Sequence, residues 1–214
     1  MFARMLAALL LAGCALAAER LYAREWYFDV AADGMSIGKH RIVVQDNGDS
    51  RTVTSEMNFG MLGISVYRQH AKESWTGDCL THIESRTEES GRVTTIAGRQ
   101  EGNAFRIDGP YPQQLYGCVM SFAYWNQHLL KQSHLVNVQT GAWTSVNIRD
   151  LGRDTIEVRG ESVPAFHFAI DTESNAIEVW YSPQGEWVGL KSTTKKGGHV
   201  LTYRLGLPGG LAGY

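Results

Sequence analysis

Apolar and polar side chains alternate at period two in many segments of this chain. In PAFHFAID (164–171), Phe166, Phe168 and Ile170 fall on one face and His167 and Ala169 on the other. In HVLTYRL (199–205), Leu201, Tyr203 and Leu205 oppose Val200, Thr202 and Arg204. In SRTVTSEMNF (50–59), Val53, Met57 and Phe59 share a face. Turn-forming clusters separate such segments: DNGD at 46–49, ESGR at 89–92, EGN at 101–103, QTG at 139–141, RGE at 159–161, PQG at 183–185 and KKGG at 195–198. Alternation interrupted by turns about every 8–12 residues is the mark of antiparallel sheet built from hairpins.

One stretch departs from that pattern. VMSFAYWNQHLLKQ (119–132) places Met120, Tyr124, His128 and Leu130 at helix-like intervals and contains no Gly or Pro. The spacing predicts a helix of two to three turns, entered from the irregular DGPYPQQLYG (108–117). It divides the β pattern into about six strands before it and about five after it, by the same period-two reading. No linker rich in Pro, Ser or Gly separates the two sets, so residues 18–214 read as a single β-rich domain. The tail LGLPGGLAGY (205–214) is too rich in Gly for regular structure and is expected to fray.

A long antiparallel sheet must cover its edges and bury its apolar face. With one short helix to do the covering, the sequence predicts a mainly β fold. A curved antiparallel sheet would form an open or half-closed barrel around that helix, with a two-sheet sandwich second. Barrels of this kind commonly enclose an apolar cavity.

The N-terminus supplies an address. Arg4 precedes an apolar run, and small residues follow, which is the order of a secretory signal. The run from Met5 to Ala18 is shorter than the ~20 residues a helix needs to cross a bilayer. Two cleavage readings stand side by side. Leu11-Ala12-Gly13-Cys14 matches a bacterial lipobox, in which Cys14 is acylated and residues 1–13 are removed. Ala15-Leu16-Ala17 matches an ordinary A-x-A site, which removes residues 1–17. An apolar passenger is the plain alternative for Cys14.

Cys79 and Cys118 remain, an even pair in an exported chain. An oxidising compartment favours a disulfide between them, and closing a loop of that size stabilises by ~4 kcal/mol in the chain-entropy model. Two buried free thiols are the alternative. Neither belongs to a C-x-x-C pair, so metal is a poor third.

Charge excludes several partners. Removing residues 1–13 takes away Arg4 and leaves 19 basic against 22 acidic residues, a net charge of −3. Such a chain has no electrostatic footprint for nucleic acid and no lysine-rich patch for anionic lipid. Membrane association would come from an acylated Cys14 or an apolar surface.

The chemistry-bearing motifs are weak. Gly34-Met-Ser-Ile-Gly38 matches the nucleophile elbow G-x-S-x-G letter for letter, but that mechanism needs a helix after the serine, and KHRIVVQ is another β-type segment. The glycines read as a hairpin connection. None of His40, His70, His82, His128, His134, His167 and His199 forms a local zinc signature, so no metal site or cofactor is expected. The acidic residues Asp78, Glu84, Glu88 and Glu89 read as a solvated face. No catalytic residue is assigned.

Candidate ligand contacts are aromatic. Tyr124, Trp125 and Asn126 form the densest mixture of apolar and hydrogen-bonding groups, the combination a binding site wants, although a segment that merely plugs the sheet would look the same. Trp143 and Trp180 are further candidates to line a pocket, with Trp75 and Trp187 split in the same way between core and lining. Trp180 alternates against Val179 and Tyr181, so both faces of its strand are bulky and covered.

Taken together, IGKHRIVV, ESWTGDCL, AYWNQHLL with VNVQTGAW, and EVWYSPQGEWVGLK resemble an uncharacterised family of exported bacterial domains across residues 25–205. That family is similar in general shape to half-barrel carriers of the lipoprotein-sorting type, which cup acyl chains between a curved sheet and a helix. The resemblance implies a fold and an exported location; export, the hairpin series with one helix and the surplus of aromatics together point to a periplasmic or outer-membrane-attached protein that binds a lipid or other hydrophobic molecule. An envelope enzyme using His128 or His167, and a scaffold protein, are the alternatives.

Overall fold

The computed structural model describes residues 22–61 and 64–207. The readings that fall on the leader, Cys14 included, and on residues 208–214 of the tail lie outside the described residues. Eight strands run hairpin to hairpin: β1 (Tyr22–Ala32), β2 (Met35–Asp46), β3 (Ser50–Met61), β4 (Ile64–Thr76), β5 (Cys79–Glu89), β6 (Arg92–Glu101), β7 (Ala104–Asp108) and β8 (Gln113–Tyr116). An insert follows, with a short pair, β9 (His134–Val136) and β10 (Trp143–Ser145). Five more strands complete the chain: β11 (Asn147–Val158), β12 (Glu161–Asp171), β13 (Asn175–Tyr181), β14 (Trp187–Thr194) and β15 (Val200–Leu205).

What joins the two sets is a long-range pairing. β15 lies antiparallel to β1, from Phe28 opposite Leu205 to Ala32 opposite Leu201. The result is one thirteen-stranded sheet in the order β11-β12-β13-β14-β15-β1-β2-β3-β4-β5-β6-β7-β8, left open between β11 and β8. So many right-twisted strands cannot lie flat. The sheet rolls far enough for β11 to fold back over the outer face of β14. There the Ile156 side chain packs directly over Gly189, and a side-chain carbon at that position would force its Cδ1 to move. Arg159 Nε closes the same contact by donating to the Gly206 carbonyl at 3.1 Å.

The G-x-S-x-G stretch is a hairpin. Asp33 (φ 48°) and Gly34 (φ 83°) make the left-handed two-residue turn between β1 and β2, the type that matches strand twist. Ser36 sits exposed in β2, opposite Ala31. Gly38 has a different reason to be glycine: a Cβ there would stand 2.0 Å from the Asn58 carbonyl oxygen of β3.

The predicted helix over 119–132 is not formed. Only Gln127–Lys131 is helical, as a five-residue 3-10 turn. The cause is that the backbone upstream is engaged elsewhere. Val136 N donates to Met120 O at 2.8 Å and Phe122 N donates to Val136 O at 3.2 Å, a short parallel bridge that removes the groups an α-helix would need. Upstream, Leu80 N donates to Val119 O at 2.8 Å beside the Cys79–Cys118 disulfide, whose partners are 39 residues apart. Asn126, in extended conformation, then caps the 3-10 turn.

This insert fills much of the concave side. Met120, Leu129, Leu135 and Val136 are fully buried against a sheet face contributed by Phe28, Val44, Ile83 and Phe105, among others. Trp125 meets Trp75 edge-to-face at 5.4 Å, and Tyr124 packs on Trp187 at 5.2 Å. Tyr181 Oη donates to the Tyr124 carbonyl at 2.9 Å, tying the insert to β13.

A candidate ligand cavity

The insert does not fill the concave side completely. A cavity of about 320 Å³ remains between residues 121–125 of the insert and the sheet around the β15–β1 junction. Strand alternation decides what it sees. His40 and Ile42 reach it from β2, Val53, Ser55 and Met57 from β3, and Ala71 and Glu73 from β4. Across from them stand Ile177 of β13, Trp187 and Leu190 of β14, and Leu201 and Tyr203 of β15. His40, Ala71, Glu73, Ser121 and Trp187 are buried, whereas Gln139, Thr144, Ser174, Asn175 and Thr194 are partly exposed, so the cavity has a deep end and a polar mouth.

The deep end carries chemistry. Glu73 is 6% exposed, and burial pushes its carboxyl up to about 7, against the opposing pull of Ser121 and Trp75. Trp75 Nε1 donates to Glu73 Oε2 at 3.1 Å. The Ser121 hydroxyl lies beside the same carboxyl without a well-formed hydrogen bond. His40 Nε2 is 2.8 Å from Ser55 Oγ, and its Nδ1 is buried with no partner. Desolvation drives the His40 pKa down to about 3, so the ring is neutral. Burial likewise raises Tyr124 and Tyr203, which stay protonated.

These groups do not assemble a hydrolytic triad. An orienting carboxylate would bond the imidazole nitrogen that faces away from the serine, and that nitrogen is unpartnered. The two histidines considered for an enzyme lie away from this lining: His128 contacts Asp78, and His167 sits between Asp154 at 3.4 Å and Glu178 at 3.0 Å. Among the described residues, no group of three or more His, Cys, Asp or Glu side chains is placed to hold a metal ion.

The aromatic candidates divide. Tyr124 and Trp125 line the cavity; Asn126, Trp143 and Trp180 do not. Asn126 is occupied structurally, donating from Nδ2 to Asp78 at 3.0 Å while Oδ1 accepts from His128 N. Trp143 stacks on His134 at 5.4 Å, and its neighbour Thr144 faces the cavity instead. Trp180 lies on the outer face, stacked on His167 at 4.4 Å and donating to Asp154 at 2.9 Å, so its own neighbours cover that face. Sequence reasoning does not single out Glu73, Ser121 or Tyr203. For Glu73 a signal exists: alternation in AKESW puts it on one face with Ala71 and Trp75, an acid on an apolar stripe.

The disulfide is compatible with an oxidising, exported location. Among the described residues no helix is long and apolar enough to cross a membrane.

No curated protein matches the chain. Among solved structures, a β-barrel-like protein of a domain of unknown function (DUF1849) from Brucella abortus is similar over 87% of this chain and 96% of that one, with TM-score 0.59 and 10% identity. At that identity the likeness concerns the fold alone. The model of a domain family of unknown function, DUF6134, matches residues 28–206, from within β1 to the residue after β15, and the chain belongs to that family.

Proposed function

We propose that this protein is an exported envelope protein that binds or carries a lipid or other hydrophobic molecule on the concave side of its open barrel. The observation that carries the reading is the cavity of about 320 Å³ beneath Tyr124 and Trp125. Its size falls at the lower end of the ~300–1,000 Å³ typical of ligand sites, and it combines apolar walls with a few buried polar groups. A short acyl chain or a compact lipophilic molecule suits that space. The disulfide, together with the leader, supports a periplasmic location, and acylation of Cys14 would anchor the domain to the outer membrane.

Native mass spectrometry of protein purified from its own cell envelope tests the reading. A bound mass removable by organic extraction is expected, and repeated recovery of bare protein would sink it. Incorporation of a radiolabelled fatty acid into the full chain, lost in Cys14→Ser, tests the anchor separately. Labelling that survives the substitution, or is absent from both proteins, rules the anchor out.

A further inference from the structure

We propose that the cavity selects an apolar molecule with an uncharged, hydrogen-bonding head group such as a hydroxyl, and rejects the ionised carboxylate of a fatty acid. This rests on the carrier reading and specifies its ligand.

Among the described residues no Lys or Arg reaches the cavity, and one carboxyl group, that of Glu73, sits at the deep end. The one histidine, His40, is neutral because burial disfavours its charged form. An anion taken from water into such a place leaves its hydration without gaining a counter-charge, a loss that neutral molecules escape. It would also meet Glu73, a group of its own sign once ionised.

What the lining offers is equally specific. Among the described residues Nδ1 of His40 on β2 is buried in the wall with no hydrogen-bond partner, and Oγ of Ser121 on the insert has only the Glu73 carboxyl beside it. Such an orphan is rare in folded proteins and points to a missing partner. Because His40 Nε2 shares a hydrogen bond with Ser55, Nδ1 donates or accepts according to the tautomer. A hydroxyl head satisfies either case, since it both donates and accepts. A carboxylate only accepts.

Displacement of N-phenyl-1-naphthylamine, a neutral fluorescent probe, tests this with the extracted full chain at pH 8. The competitors are decan-1-ol and decanoate, both below micelle-forming concentrations. Decanol is expected to displace the probe at a concentration at least tenfold lower than decanoate. Glu73→Gln should shrink that ratio severalfold by improving decanoate, and Ser121→Ala should weaken decanol severalfold. Equal displacement, preference for decanoate, or a ratio unmoved by Glu73→Gln overturns the head-group inference and leaves the carrier reading standing. No uptake of the probe and no binding of either competitor overturns the carrier reading, and this inference with it.

Discussion

Replacing Glu73 by Gln should change how stability depends on pH, and the structure sets both sign and size. The carboxyl titrates at an ordinary value of 4.5 when the chain is unfolded and at about 7 when buried in the cavity wall. Between those values the folded protein keeps a proton that the unfolded chain has released. The contribution of Glu73 to stability is therefore greatest at low pH, falls as pH rises from about 4.5 to about 7, and levels off above. At ~1.4 kcal/mol per tenfold change in proton concentration, the separation amounts to about 3 kcal/mol. Glutamine has the same shape, still accepts from Trp75 Nε1 and carries no charge at any pH. Urea unfolding of both proteins at pH 5, 6, 7 and 8 reads the difference, because every other titrating group is common to the two. The stability of Glu73→Gln relative to the parent should rise by about 2–3 kcal/mol across that range. Parallel pH profiles would show that the Glu73 carboxyl is not desolvated and would refute the reasoning.

Reduction of the Cys79–Cys118 disulfide, or its replacement by two alanines, should lower stability by ~4 kcal/mol, read as a shift in the urea midpoint; an unchanged midpoint counts against the loop argument. Gly38→Ala must push the Asn58 carbonyl aside and should cost at least ~2 kcal/mol, whereas Gly34→Ala meets no atom within 4 Å and should cost only the ~1–2 kcal/mol of its left-handed backbone. Comparable losses in a thermal melt would contradict the close approach at Gly38. Tyr181→Phe removes the hydrogen bond to the Tyr124 carbonyl and should destabilise by ~1–3 kcal/mol, with increased amide exchange in the insert as the local readout.

Much of the architecture could be read from local pattern. Period-two alternation identifies faces correctly in β3, where Val53 and Met57 both reach the cavity, and in β15, where Leu201 and Tyr203 do. Turn chemistry explains the glycine at position 34, and compartment logic points to the Cys79–Cys118 bond. The misreadings share one cause. Met120, Tyr124 and His128 have helical spacing, yet the backbone there bonds to Val136, a partner that no local window contains. In β13 both faces are bulky, so alternation cannot tell which of Val179 and Trp180 looks inward; contact with His167 and Asp154 places Trp180 outside.

Strand content, turn positions and the pairing of the cysteines follow from residue type and near neighbours, because hydrogen-bonded hairpins and side-chain alternation are short-range physics. The cavity does not. It exists because β15 docks on β1, an encounter between segments more than half the chain apart, and because the insert covers most but not all of the surface so formed. Only that closure strips water from Glu73 and His40, and so turns two unremarkable polar residues into the chemistry of a site.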